Sequence, residues 1–367
     1  VLTNISIVLL CAPYNRCMSL SVQTFAQQHQ ASEQIAVDAI MPEVLKGKKP
    51  GMLLAGFDVD ANMFDNDVGV EVFLEKLSQP AFWTFSVETF YKLLLPNEYR
   101  IALNKGLAGE IPEFPPDAAV KLFAMADEIR DLYALQKALL ESNGNGHLLG
   151  LENPVVNEFA QRMIEFDNYF FQYDYLIAPL VGHQFLMRTR FFAGKRIDAV
   201  RDLTIKVMQR KQSDPDRLIR LASEVDDPSY VRKVPLNPIE RDRIIKVNEA
   251  VRKLIMRVFH EEGIDTRFVS TNLKEIVDTA LEYSPYYSLR HRRKGVTLAT
   301  RLRGTPDSLH PQTDGTPVHG IRKVEELQKL EDATGKKVIL TSGDSATNDV
   351  PMGVYAVVNG GVFVITG

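Results

Sequence analysis

Short β-branched runs alternate with helical segments in the last third of the chain, and this alternation most limits the possible folds. Strands are predicted at 266–269, 296–302, 337–341, 354–358 and 362–366. Helices before and between them are predicted over 239–262, 273–283 and 321–332. Strands that alternate with crossover helices are typical of a parallel sheet.

Another strand of this sheet is predicted far upstream, at residues 52–57. Its apolar run, MLLAGF, follows Gly51 and leads directly into Asp58, a pattern typical of a short buried strand. The intervening chain has helical periodicity, with helices predicted over 117–142, 154–180 and 195–211. We therefore predict an α/β fold that has a Rossmann-like core of 51–74 and 246–367, a large helical cap domain of 75–245, and an N-terminal extension of 1–50.

Size and charge exclude several classes of protein. The 367 residues suggest roughly two domains at ~150 residues each. A net charge of -4 gives no overall reason to expect nucleic-acid binding, and the single dense basic run, 290–294, is short enough to be a solvated loop. We find no stretch of the ~18 apolar residues that a membrane span needs.

The N-terminus leaves the cellular location open. Its start, VLTNISIVLLCAP, is apolar enough for a signal-peptide core but has no basic residues before it, so periplasmic or secreted and cytoplasmic locations both remain possible. Cys11 and Cys17 are the two cysteines, which are too few for a disulfide framework or a metal-ligand set.

The acidic stretch DVDANMFDND, residues 58–67, has three interpretations. An EF-hand calcium loop would need Gly at its sixth position and a carboxylate at its twelfth, where this chain has Met63 and Gly69. A solvated acidic turn is the plainest interpretation. The third is covalent chemistry, because Asp58 comes at the carboxyl end of a predicted strand, where open α/β sheets gather functional groups.

Covalent chemistry on a phosphate needs partners for Asp58. Asp60 could handle the proton, and the reaction would also need a divalent metal, a cation and a hydroxyl or amide donor. Later segments of the predicted α/β core supply these groups in order, namely Ser270, Thr271 and Asn272, then Lys323, then Asp344 and Asp349. Each alone could be a helix cap, a surface lysine or a turn residue, but their joint order favours a site.

With these residues the chain resembles the haloacid dehalogenase superfamily of phosphohydrolases. The four motifs that carry the resemblance, in order, are FDVDAN at 57–62, FVSTN at 268–272, GIRKVEEL at 320–327 and GDSATNDVPM at 343–352. Local runs around them are similar to the group of phosphoserine and phosphorylcholine phosphatases. The resemblance implies a magnesium-dependent phosphatase for a small phosphomonoester, with a cap domain between the first two motifs.

The resemblance also implies a role for each residue. Asp58 would be the nucleophile and Asp60 the general acid and base. Magnesium would be held by the Asp58 carboxylate, the Asp60 backbone carbonyl and Asp344, with Asp349 supporting them. Ser270, Thr271, Asn272 and Lys323 would bind the phosphoryl group, and Ser270 and Lys323 would also assist catalysis.

Three features depart from the motif pattern. Asn62 stands where Thr, Ser or Val is usual, Arg322 precedes Lys323 and could shift the register of the cation, and the family's usual last helix does not follow, which suggests truncation. Together with the large cap, Asn62 and the truncated end make a catalytically silent binding or interaction protein of the same fold an alternative to the enzyme.

The substrate is less well indicated than the reaction. The run FDNYFFQYDY at 166–175 could form an aromatic cage for a quaternary ammonium group such as choline. The same rings could instead pack in the core of the cap at helical spacing. Phosphorylcholine, phosphoserine-like and other small phosphomonoesters all remain open.

Overall fold

The structure is a computed structural model, and it describes residues 5–8, 41–42, 44–142, 149–181, 186–222, 224–286, 297–315, 317–345 and 348–366. The predictions for Cys11, Cys17, the basic run 290–294 and most of the N-terminal extension lie outside these residues. Two compact units are present. The α/β unit contains residues up to Gly69 together with Ile245–Arg301 and Thr313–Gly367, and the helical unit contains Val70–Ile244 and Leu302–Gln312.

The described strands and helices follow one another as a mixed α/β chain. The strands are β1 (Ile5–Val8), β2 (Leu53–Asp58), β3 (Leu218–Leu221), β4 (Ile239–Asp242), β5 (Asp265–Leu273), β6 (Thr297–Thr300), β7 (Leu302–Thr305), β8 (Ser308–Thr313), β9 (Lys337–Gly343) and β10 (Val362–Thr366). The helices are α1 (Val68–Leu77), α2 (Val87–Leu94), α3 (Asn97–Leu107), α4 (Pro116–Ser142), α5 (Pro154–Val181), α6 (Met187–Arg190), α7 (Ile197–Met208), α8 (Glu249–Met256), α9 (Lys274–Glu282), α10 (Ile321–Thr334) and α11 (Val350–Val358). None of these helices is both long and apolar enough to cross a bilayer.

A six-stranded sheet forms the centre of the α/β unit. Its strand order is β1, β10, β9, β2, β5, β6. The last five strands in this order pair in parallel, and β1 pairs antiparallel with β10. The prediction of a parallel α/β sheet is confirmed, and the upstream strand joins it between β9 and β5.

Strand β2 is central because both of its faces are apolar. All six of its residues, Leu53 to Asp58, are buried, as expected when helices cover both faces of a parallel sheet. Leu54 packs in a core cluster with Leu327 of α10 and Met352 of α11. Gly56 allows the close approach, since a Cβ there would lie 3.2 Å from Leu327.

The strand predicted at 354–358 is wrong, because these residues end helix α11. Pro351 lies in its first turn, and Met352 and Ala356, one turn apart, are buried while Val354 and Val358 are exposed. Its β-branched composition suggested a strand, but burial follows the helical period of about 3.6 residues.

The long helix predicted over 239–262 is also wrong at its start. Ile239–Asp242 is strand β4 and pairs antiparallel with Leu218–Leu221. Helix α8 begins only after Asn248, whose side chain caps it by accepting hydrogen bonds from the backbone N–H groups of Ala250 and Val251. Residues 239–242 therefore belong to a two-stranded sheet and not to the helix.

A hairpin that the sequence did not predict forms from β7 and β8. The backbone N–H of Gly194 donates to Leu309 at 2.7 Å, and that of Ile197 donates to Pro306 at 2.9 Å. Residues 302–312 thus group with the helical unit, although 246–367 was predicted to belong entirely to the core.

Aromatic rings form the core of the helical unit around Trp83. Its ring lies 5.2 Å from that of Phe191 and 5.3 Å from that of Phe159, between ring centroids. Phe90 and Tyr133 stack on each other at 4.0 Å. Such ring pairs add stabilisation beyond the apolar area that they bury.

The side chain of Lys76 is fully buried among these rings. Its Nζ lies 4.2 Å from the ring centroid of Trp83 and 4.9 Å from that of Phe192, and it donates a hydrogen bond to the carbonyl oxygen of Phe191. No carboxylate within the described ranges pairs with it. Burial, with a smaller contribution from the charge of Lys195, lowers the pKa of Lys76 well below its usual value.

Replacing Lys76 with Met is expected to remove a pH dependence of stability. Between the lowered folded pKa and the unfolded value of about 10.4, the unfolded wild type binds more protons, so its free energy of unfolding rises with pH, by up to about 1.4 kcal/mol per pH unit. The variant should lack this rise and be more stable at pH 7. Urea unfolding at several pH values measures both effects, with the exposed Lys105→Met as control; equal slopes in wild type and Lys76→Met would contradict the prediction.

Candidate active site

The carboxylate of Asp58 lies at the carboxyl end of the central strand β2, which is flanked by β9 and β5. Asp58 is 3% exposed, and its Oδ1 accepts a hydrogen bond from Lys323 Nζ. Burial raises the pKa of Asp58 well above its usual range, opposed by the charge of Lys323 and reinforced by Asp349 and Asp60. A site at this edge of the sheet follows the general rule for open α/β folds.

Lys323 is the cation of this site. It lies in the first turn of α10, its side chain is fully buried, and its Nζ also donates to Asp349 Oδ1 at 2.6 Å. Burial alone would lower the pKa of Lys323, but the two carboxylates outweigh it and the pKa is raised. The neighbouring Arg322 pairs with Glu325 instead. The cation that contacts the carboxylates is therefore Lys323 and not Arg322.

Asp349 is held in place by donors on both of its carboxylate oxygens. Oδ1 accepts from Lys323, and Oδ2 accepts from the backbone N–H groups of Asp344 and Ser345 at 3.1 and 3.0 Å. Gly343 makes this possible, because a Cβ there would lie 2.4 Å from the Cβ of Asp349. Asp349 therefore orients Lys323 and the turn that carries Asp344.

Three carboxylates form a candidate cation site. One oxygen from each of Asp58, Asp344 and Asp349 lies within 4.8 Å of the others. Burial, and then the charge of Asp349, raise the pKa of Asp344 to about 6. Asp60 lies nearby as a fourth carboxylate. Within the part of the chain that the structure describes, the site therefore has four carboxylates and one ammonium group, that of Lys323. This excess of anionic oxygen ligands fits Mg²⁺, which prefers carboxylate and carbonyl oxygens.

Asp60 lies beside Ser270 of the neighbouring strand β5. Ser270 Oγ donates to Asp60 Oδ2 at 2.8 Å, and the backbone N–H of Val68 donates to Asp60 Oδ1 at 3.1 Å. Burial, with a further contribution from the charge of Asp67, raises the pKa of Asp60 to about 7. The carboxyl group can therefore both donate and accept a proton near neutral pH.

Described hydrogen bonds link Asn272, but not Thr271, to the pair of Asp60 and Ser270. The backbone N–H of Asn272 donates to Ser270 Oγ at 3.0 Å, and the side-chain Nδ2 of Asn272 donates to Asp67 Oδ1 at 3.0 Å. Thr271 Oγ1 is buried and has no hydrogen-bond partner among the described residues. Of the predicted site residues, Thr271 is the one that no described contact links to the carboxylates.

The acidic stretch 58–67 does not converge on one cation as an EF-hand loop would. Asp58 pairs with Lys323, Asp60 with Ser270, and Asp67 with Asn272. The preceding segment is a strand and not a helix. The geometry thus disfavours a calcium loop.

Two residues near Lys323 were not singled out from the sequence. His319 is half-buried, and desolvation, then the charge of Lys323, lower its pKa to about 4 against the opposing charge of Asp349. Asn348 Oδ1 accepts from the backbone N–H of Gly320 at 2.8 Å and so ties the Asp349 turn to the start of α10. Their nearness to the predicted motifs was the only available signal.

The aromatic run 166–175 mostly packs in the core of the helical unit. Phe166 and Phe170 are fully buried there. Tyr169 already has a cation over its ring, since Lys121 Nζ lies 4.1 Å from the ring centroid. These positions favour a structural role for the run over a choline cage.

Comparison with known proteins supports the fold. No family model and no curated protein matches the chain. A conserved, functionally unknown protein from Anaerococcus prevotii is 17% identical, with a TM-score of 0.60, over 87% of this chain and 81% of that one. The two therefore share a fold.

Two further solved structures are less similar to this chain. A HAD family hydrolase from Salmonella enterica serovar Typhi is 11% identical over 84% of this chain and 61% of that one, with a TM-score of 0.35. A protein of unknown function from Bordetella pertussis is 13% identical over 82% and 85%, with a TM-score of 0.25. Scores this low carry no conclusion about fold or activity.

Proposed function

We propose that this chain is a magnesium-dependent phosphatase that hydrolyses a small phosphomonoester through an aspartyl-phosphate. The observation that supports this most is the buried Asp58 at the end of the central strand, paired with the buried Lys323 and adjoined by Asp344 and Asp349. A nucleophilic carboxylate, a fixed cation and an anionic metal site are the groups that phosphoryl transfer through an aspartate needs.

In the first step Asp58 acts as nucleophile. Its carboxylate oxygen attacks phosphorus, the new O–P bond forms, and the bond from phosphorus to the substrate's ester oxygen breaks. Asp60, whose pKa of about 7 leaves much of it protonated near neutral pH, gives its proton to the leaving oxygen. The products of this step are the free alcohol and phosphorylated Asp58.

In the second step Asp60, now deprotonated, removes a proton from water. The water oxygen attacks phosphorus and the O–P bond to Asp58 breaks, so inorganic phosphate leaves and the carboxylate is restored. The hydrogen bond from Ser270 holds Asp60 beside the reacting groups. The same residue serves as acid and then as base, as microscopic reversibility requires.

Phosphoryl oxygens are bound by the remaining site residues. Lys323 offsets negative charge on the nucleophile and on the phosphoryl group, and Asn272 offers a hydrogen-bond donor. Ser270 has one hydroxyl proton, so it donates either to Asp60 or to a phosphoryl oxygen and not to both at once. Thr271 is included because its buried hydroxyl has no partner among the described residues. Preorganised donors of this kind stabilise charge that develops in the transition state.

The metal would be held by the carboxylates of Asp58 and Asp344 and by the backbone carbonyl of Asp60. When bound there, Mg²⁺ would neutralise negative charge on the phosphoryl oxygens. Asp349, whose two oxygens are already engaged, keeps Lys323 and the Asp344 turn in place rather than binding the metal directly.

A phosphoserine-like or other small phosphomonoester fits this proposal better than phosphorylcholine. Recognition of choline would need an open aromatic cage, and the candidate rings Phe166 and Phe170 are buried in the helical core. The substrate class therefore rests on the phosphate chemistry and not on the aromatic run.

Hydrolysis of an aryl phosphate by the full chain, with and without Mg²⁺, tests the proposal. Turnover is expected with MgCl₂, should fall to background when EDTA removes the metal, and should return when MgCl₂ is added in excess. A panel with phosphoserine and phosphorylcholine ranks substrates. Absence of magnesium-dependent turnover across the panel would contradict the proposal and favour the catalytically silent binding protein instead.

A further inference from the structure

The side chain of Asn62 forms a buried bridge between the first acidic turn and the neighbouring strand. Its Nδ2 donates to the backbone carbonyl of Asp58 at 2.7 Å, and its Oδ1 accepts from Ser342 Oγ at 2.9 Å. Asn62 and Ser342 are both fully buried. Ala61 has a φ of 53°, a left-handed conformation that turns the chain back so that Asn62 faces the strand ends.

This bridge joins the two strands that carry the candidate metal ligands. Strand β2 ends at Asp58, and Ser342 of β9 pairs in register with Phe57, the residue just before it. Asp344 follows Ser342 by two positions. The Asn62 amide therefore connects the backbone at Asp58 to the point from which Asp344 leaves the sheet.

We propose that Asn62 and Ser342 act together as a positioning bridge that holds Asp58 and Asp344 at the separation a shared divalent cation requires. The inference rests on the proposed magnesium site and deepens it. It assigns a role to the position at which the chain departs from the motif it resembles, and to Ser342, which the sequence did not single out.

The chemistry of the bridge calls for an amide. One end of it must donate to a carbonyl and the other must accept from a hydroxyl, and the uncharged amide of Asn carries both groups on one short planar head. A Thr or Ser hydroxyl lies one carbon closer to the backbone. An Asp could accept from Ser342 but could not donate to the Asp58 carbonyl when ionised, and it would add another buried negative charge.

The bridge should act on metal affinity more than on the chemical step. Neither Asn62 nor Ser342 offers a ligand to the cluster of Asp58, Asp344 and Asp349, so their loss leaves the ligands present but less well held. Removing groups that orient metal ligands typically weakens metal binding or activity by about 10–100-fold. We expect about tenfold weaker Mg²⁺ binding for each variant.

The test measures Mg²⁺ binding to the full chain by calorimetry and, separately, the Mg²⁺ concentration for half-maximal phosphatase activity. Asn62→Ala and Ser342→Ala should each weaken binding about tenfold, with kcat at saturating Mg²⁺ changed much less. The double variant should bind about as well as either single one, because both lose the same bridge. Asn359→Ala is the matched control, since it removes amide hydrogen bonds to Glu331 and Val338 at the opposite end of β9.

The outcomes separate this inference from the proposed function. Wild type that binds Mg²⁺ but hydrolyses no phosphoester contradicts the proposed function, while the calorimetric comparison still decides on the bridge. The bridge is overturned if both single variants bind Mg²⁺ as tightly as the wild type does. It is also overturned if the wild type binds no Mg²⁺, or if Asn359→Ala loses as much affinity as the bridge variants. If Asn62→Ala does not fold, Ser342→Ala, which leaves the amide in place, decides.

Discussion

Replacing Asp58 with Asn is expected to reduce phosphatase turnover on the order of 10⁶-fold, as for the loss of a nucleophile. Asn has nearly the same shape and its amide oxygen can still accept from Lys323, so the fold should survive. The amide is not a competent nucleophile, and therefore no aspartyl-phosphate can form. Initial rates with an aryl phosphate at saturating Mg²⁺ measure the loss, and circular dichroism checks the fold.

A matched control distinguishes the nucleophile from a general effect of charge. Asp332→Asn removes an exposed carboxylate from the same unit and should keep wild-type turnover.

Mass spectrometry of Asp60→Asn, quenched during turnover, should show one phosphoryl group on Asp58, since hydrolysis of the intermediate lacks its base. Retained activity in Asp58→Asn, or a phosphoryl group on a different residue, would show that another group attacks phosphorus.

Replacing Lys323 with Met is expected to cost about 3–5 kcal/mol of folding stability, because it leaves buried carboxylates without their counter-charge. Lys323 is fully buried and contacts both Asp58 and Asp349, so solvent cannot compensate for its loss. Turnover should fall as well, since the phosphoryl group loses its fixed cation. Urea unfolding without Mg²⁺ gives the free energy, and the aryl phosphate assay gives the activity.

The cause of this loss can be isolated with a double-mutant cycle. Lys323→Met combined with Asp349→Asn should be less destabilised than the sum of the single variants, since the second change removes one of the unpaired charges. Lys329→Met, in the same helix α10 but 68% exposed, should change stability little. Additive losses in the cycle would mean that Lys323 and Asp349 do not interact as the geometry indicates.

The parallel sheet was predictable because its strands are short apolar runs with clear boundaries. Burial on both faces demands such a run at 53–58 whatever lies elsewhere in the chain. Helix α11 was not predictable in this way, since Val354 and Val358 are β-branched and only the burial of Met352 and Ala356 reveals the helical period. Local composition and local periodicity disagreed, and packing against the sheet decided the outcome.

Pairing with distant residues explains the other errors in the fold. Strand β4 exists because Ile239–Asp242 pairs with Leu218–Leu221, and the hairpin of β7 and β8 contacts Gly194 and Ile197. Neither partner is visible from the segment's own sequence. Hydrogen bonds between remote segments are the part of a fold that local patterns predict least well.

For the candidate site, the sequence predicted the residue types but not their pairing. The order of Asp58, Ser270, Lys323 and Asp344 placed functional groups at neighbouring strand ends and a helix start, and the structure brings Asp58, Lys323 and Asp344 together. That Asp349 fixes both Lys323 and the Asp344 turn, and that Ser342 contacts Asn62, depends on side-chain geometry. No spacing rule encodes those contacts.

The sequence by itself determined the parallel α/β core and the residue types of the candidate site, because hydrophobic patterns and strand-end residues are local properties of the chain. Only the tertiary structure decided that Asp58 and Asp349 contact the ammonium of Lys323, and that Asn62 spans from Asp58 to Ser342. The physical reason is that charge pairing and burial join residues far apart in sequence. Their energies depend on distance and desolvation, which exist only once the chain has folded.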